Sequence, residues 1–116
     1  VTILMTEHTL FDAMKDCGLV TGTLVKSRCG HDAGHVYLVA SEMESFCFLV
    51  DGDKKPLSRP KKKRRKHLRA LCRMDCPVQW FFALRTLPED QQNAKIRKEI
   101  ERLIDSHRIG DTKEGE

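Results

Sequence analysis

The sequence predicts one small, mainly β domain, a barrel or sandwich, closed by a C-terminal helix. Three observations carry this reading. The 116 residues with 40% apolar content suit a single compact core. Three short runs rich in β-branched and aromatic residues follow one another at a spacing of roughly 10 residues. Beyond them, a Thr-x-x-Glu start signal precedes an apolar stripe of helical period. The chain divides into a lead whose order the pattern does not specify (1–16), a β domain with a polybasic segment (17–87), a helix (88–108) and a polar tail (109–116).

The strand candidates are residues 22–28 (GTLVKSR), 35–41 (HVYLVAS) and 45–51 (SFCFLVD), separated by Gly, Asp and Ser turn material. Alternation puts Val36, Leu38 and Ala40 on one face of the second run and Phe46, Phe48 and Val50 on one face of the third, enough to fill a barrel interior. Tyr37, Val39 and Leu49 then need a cover. The apolar zone 71–87 offers one through Val78, Trp80, Phe81, Phe82 and Leu84. Between the first two runs, CGHDAGH (29–35) brackets His31, Asp32 and Ala33 with Gly30 and Gly34, a tight hairpin turn. As a phosphate cradle it lacks the lysine and hydroxyl residue of a P-loop.

The helix candidate opens at Thr86-Leu87-Pro88-Glu89, a capping-box pattern, and runs to about His107. Ile96, Ile100, Leu103, Ile104 and His107 form its stripe, which suits a helix docked on the domain, or else one that binds a partner.

Charge is distributed unevenly. Residues 54–73 hold 11 Lys and Arg and no acid, while the other 96 residues hold 10 basic and 17 acidic side chains, so the net +4 is +11 in one segment and −7 elsewhere. At its centre lies KKKRRKH (61–67). Six consecutive like charges repel one another unless a polyanion meets them. No apolar window is long enough to span a bilayer and no basic, then apolar leader opens the sequence, so a cytoplasmic protein without a membrane partner is expected.

The five cysteines, Cys17, Cys29, Cys47, Cys72 and Cys76, are read as free thiols. Cys72 and Cys76 make a solitary C-x3-C, and Cys29, His31 and His35 crowd one turn; neither has the doubled spacing of a structural zinc site, so no metal and no cofactor are expected. No nucleophile, base and orienting group can be assembled from local sequence, which argues for a non-enzymatic protein without a small-molecule substrate.

One stretch is more specific. Val25-Lys26-Ser27-Arg28-Cys29-Gly30-His31-Asp32-Ala33-Gly34, the strand Val36-Tyr37-Leu38-Val39, Asp51-Gly52, and Pro60-Lys61-Lys62-Lys63 leading to Lys66-His67-Leu68 resemble the KOW-motif RNA-binding proteins of bacteria, which are similar to a large-subunit ribosomal protein of archaea and eukaryotes. The likeness covers about residues 20–69. Cys29 stands where the family usually has alanine and His31 where it usually has arginine, exchanging a permanent loop charge for a titratable one.

The resemblance implies an SH3-like barrel of the KOW type that meets RNA, in first place ribosomal RNA. The expected contacts are Lys26, Arg28, Gly30, His31, Asp32 and Gly34 around the loop, and Arg59, Lys61, Lys62, Lys63, Arg64, Arg65, Lys66, His67 and Arg69 along the basic run. Lysine and arginine there would neutralise phosphates at many points, with shape rather than base sequence recognised. The second class of function is a protein-interaction module docking on a ribosomal or transcription protein, with the basic run giving only electrostatic steering.

Overall fold

The computed structural model describes residues 19–109; the lead 1–16, Cys17 and all but the first residue of the expected tail lie outside the described residues. Five strands, β1 (Thr23–Ser27), β2 (Val36–Glu42), β3 (Phe46–Val50), β4 (Lys61–Arg64) and β5 (Leu68–Arg73), form one antiparallel sheet in the order β4-β3-β2-β1-β5. A 3₁₀ turn, Arg65–His67, joins the two edge strands, and two helices follow, α1 (Pro77–Leu84) and α2 (Glu89–Ser106). Among the described residues the domain is therefore mainly β with two helices. No ladder joins β4 to β5, so the sheet is not closed by strand pairing.

The first three strands form within the runs rich in β-branched and aromatic residues that predict them, to within a residue at each end. The basic run and the segment after it were not expected as strands, because lysine and arginine have little intrinsic preference for a sheet. Both are edges. An edge strand has one neighbour and one open side, and charged side chains there discourage pairing with other chains.

Both faces of the sheet are buried, but with the expected roles exchanged. Leu24, Leu38, Ala40 and Val50 pack under the helices with Phe81, Leu84, Ile96 and Leu103. Val25, Tyr37, Val39, Cys47, Leu49 and Leu68 form a second cluster with Leu19 that includes no residue of the two described helices. Tyr37, Val39 and Leu49 thus cluster with Val25, Cys47, Leu68 and Leu19, and not with the zone 71–87. Alternation says which residues share a face; where both faces are apolar it cannot say which one meets the helices. Register shifts in β2 between Val39 and Ser41, and at Leu24/Val25 where β1 meets β5, bend the ladder. The bend is large enough for Lys63 of β4, which has two strands between it and β1, to donate to the Cys29 carbonyl in the β1–β2 turn at 3.1 Å.

In α1, Phe81 and Leu84 are buried and Trp80 packs edge-on to Phe81. Val78 and Phe82 do not join the cover: one turn apart on the outer side, they are 72% and 74% exposed. The α2 stripe docks as its spacing predicts, with Ile96 and Leu103 fully buried and Ile100 and Ile104 packed beside them. His107 instead faces outward. The capping box does not form. Pro88 takes the cap position without a side-chain bond, Thr86 Oγ1 donates to Ala83 O at the end of α1, and Glu89 accepts from Ser58. Gly52 lets α2 approach the sheet: at φ +74°, a Cβ there would lie 2.4 Å from the Asn93 carbonyl, and the Arg97 guanidinium donates to the Gly52 carbonyl.

Candidate nucleic-acid interface

Strand geometry splits the polybasic run in two. Register pairs Lys63 with Cys47 and Lys61 with Leu49, which places both on the face of the helix-free cluster. Lys62 and Arg64 pair with Phe48 and Phe46 and so project from the opposite face.

The first set is engaged within the protein. Lys63 Nζ lies 2.9 Å from Asp32 Oδ1 with its side chain 11% exposed, and Lys61 Nζ is 3.8 Å from Oδ2. Asp32 also accepts from Ser27 Oγ at 2.9 Å and from the Tyr37 hydroxyl at 2.7 Å. Burial alone would raise its pKa, but hydrogen bonds from Lys63, Tyr37 and Ser27 outweigh it and hold the carboxyl far below the usual range. Burial and the same carboxylate push the Tyr37 phenol well up. Arg65 is engaged at a different place. Its guanidinium donates to the carbonyls of Met43, Glu44 and Leu19, the last at 3.2 Å, and Leu19 O also accepts from the Cys47 thiol. Burial raises the pKa of that thiol.

The second set is open. Lys62 Nζ sits 4.3 Å and Arg64 Cζ 5.0 Å from the centre of the Phe46 ring, and neither meets a carboxylate among the described residues. Lys66 and Arg69 are exposed as well. Arg69 stands directly across the β1–β5 ladder from Lys26. Like charges facing each other across a ladder cost free energy that a bound anion offsets. Arg28 is exposed at the end of β1, its amide donating to His67 O. Arg59 is exposed on the loop before β4.

The glycine turn is ordered from within. Gly30 and Gly34 take φ of +93° and +90°, and the amides of Ala33, Gly34 and His35 donate to Gly30, Ser27 and Asp32 carbonyls. Those three donors are therefore not presented outward, while His31 is exposed at the tip. Next to the turn, His35 Nε2 lies 2.8 Å from Asp51 Oδ2 and its ring packs on Tyr37. Asp51 is nearly buried; burial raises its pKa, but the Asp53 and Lys55 amides and His35 together bring it below the ordinary value.

The structure thus brings Lys61, Lys63 and Asp32 into one network, Lys62 and Arg64 onto one aromatic ring, and Lys26 and Arg69 into a facing pair. It does not gather all fifteen expected residues into one patch. Phe46, which alternation alone places in a barrel interior, is instead half-buried at the surface, and the β3–β4 ladder sets it opposite Arg64. Cys29, Cys47, Cys72 and Cys76 are free, and among the described residues no three His, Cys, Asp or Glu side chains converge on a point that could hold a metal ion. No described helix is long and apolar enough to cross a membrane. Comparison with known protein families and with curated proteins found no match to the chain.

Proposed function

We propose that this protein is a non-enzymatic RNA-binding module whose sheet is an SH3-like barrel of the KOW type, acting in the cytoplasm on ribosomal RNA or ribosomal particles. The fold reading is supported by the meander β1 to β4, the return of β5 to β1, and a buried cluster that draws on β1, β2, β3 and β5 together and holds no residue of the described helices. The observation that carries the functional reading is the open half of the basic run. Lys62 and Arg64 project from an edge strand with no carboxylate beside them among the described residues, and Lys66, Arg69, Lys26 and Arg28 add cations not neutralised by a described acid. Such cations gain from phosphate through counterion release, and arginine adds forked hydrogen bonds. Ribosomal RNA as the target rests on the resemblance over residues 20–69.

The test compares two double variants of the same net charge, Lys62→Gln with Arg64→Gln, and Lys61→Gln with Lys63→Gln. On a single-stranded RNA the first pair should flatten the plot of log affinity against log salt by about 1.4, at ~0.7 per phosphate contact. The second pair should change that slope little and lower the melting temperature instead. An unaltered slope for the first pair would transfer the reading to a protein-interaction module.

A further inference from the structure

Phe46 and Phe48 stand two residues apart on β3, so both rings project from the same face of the sheet. Both are half-buried, yet neither belongs to either apolar cluster. Phe46 is roofed by Lys62 and Arg64 at 4.3 and 5.0 Å from its centre, and Phe48 lies across the ladder from Lys62. An aromatic ring that faces outward beside an edge strand, beneath two cations with no carboxylate near them among the described residues, is an unusual use of apolar area in a domain this small.

We propose that Phe46 and Phe48, with Lys62 and Arg64, form a stacking platform for unpaired nucleotides of RNA. This rests on the RNA-binding reading and names the form of RNA that this face takes. A base would lie on the Phe46 ring in place of one roofing cation, which swings out to a flanking phosphate. The exchange conserves both kinds of contact: the ring trades a cation for a π surface, and the cation trades a ring for a full negative charge. An acidic peptide could satisfy Lys62 and Arg64 equally well but would leave the rings without a planar partner, so the pairing of aromatics with cations favours a nucleobase. Stacking of this kind tolerates any base and requires that base to be outside a helix. The platform therefore selects loops, bulges and single strands over continuous duplex.

The experiment titrates the whole chain with three probes: a fluorescent 12-nucleotide uridine oligomer, the same oligomer with abasic sites throughout, and polyglutamate. The uridine oligomer should bind at least about fivefold more tightly than the abasic one, which carries the same phosphates, because base–aromatic stacking is worth ~1–3 kcal/mol per base. Phe46→Leu should remove most of that difference, leave abasic binding and the salt slope unchanged, and keep the wild-type fold by circular dichroism. Equal affinity of the wild-type protein for the uridine and abasic oligomers overturns the platform while leaving RNA binding through phosphate standing, and this comparison needs no variant to fold. Polyglutamate bound as tightly as the uridine oligomer overturns it in favour of an acidic protein partner. Failure to bind any RNA probe overturns the platform together with the RNA-binding reading.

Discussion

The two sides of β4 differ in everything but charge. On one side Lys61 and Lys63 turn inward to Asp32 and, a residue beyond the strand, Arg65 ties together three carbonyls from the β2–β3 connection and the chain before β1. On the other side Lys62 and Arg64 lie on a phenyl ring at the surface. A run that looks uniform in sequence is thus two sets of side chains with different surroundings, interleaved with a period of two. Formal charge overstates what such a segment offers a polyanion, since its inward members are already committed to the fold. Each inward cation also organises something else: Lys63 fastens the glycine turn to the sheet's far edge, and Arg65 fastens the segment around Leu19.

The sharpest way to break this comparison is to remove the acceptor that makes the inward side special. Asp32→Ala leaves Lys63 without its counter-charge and Ser27 and Tyr37 without their acceptor in a mostly enclosed place, and should cost about 3 kcal/mol in urea unfolding. Wild-type stability in that variant would make the two sides of β4 equivalent. Acid should act in the same direction. Asp32 and Asp51 have folded-state pKa values below their unfolded ones, so the stability they contribute is complete above the unfolded value, about 4, and is lost as pH falls through that value toward the lower folded one. Stability of the wild-type protein should therefore decline from about pH 5 downward, and the Asp32→Ala variant should decline less steeply over the same range.

What the sequence shows and what it hides follow from the same physics. Strands β1, β2 and β3 were legible because they are short runs rich in β-branched and aromatic residues between Gly, Asp and Ser turns; α2 was legible because Ile96, Ile100, Leu103 and Ile104 recur at helical spacing. Strand β4 was hidden because nothing in KKKR alternates: its two faces carry the same residue types and differ only in what lies opposite, Leu49 and Cys47 on one side, Phe48 and Phe46 on the other. The helix α1 was hidden inside an apolar zone with no periodicity to separate Phe81 and Leu84 from the exposed Val78 and Phe82. The candidate site was half legible. Its cations are evident from composition, but the Asp32 network depends on long-range contacts, Lys63 lying 31 residues from its acceptor.

The smallest effect gives the cleanest contrast, because it concerns adjacent residues of one type. Arg65→Gln deletes a guanidinium whose three nitrogens all donate to backbone carbonyls, and no glutamine reaches Met43, Glu44 and Leu19 together. The loss should be about 1.5 kcal/mol, since hydrogen bonds from a charged donor are worth ~1.5–3 kcal/mol and water replaces part of them at this half-exposed position. Arg64→Gln removes one cation from the surface of Phe46, a contact of ~0.5–1 kcal/mol at exposed sites, and relieves repulsion from Lys62 and Lys66, so its net cost should be about 0.5 kcal/mol or less. For a domain of this size the two variants should differ by roughly 5 °C in melting temperature, Arg65→Gln the lower. RNA affinity should rank them the other way, with Arg64→Gln losing salt-dependent binding at a temperature where both are folded. Coincident melting curves would show that strand alternation does not divide the run, and the assignment of Lys62 and Arg64 as its open half would fall with it.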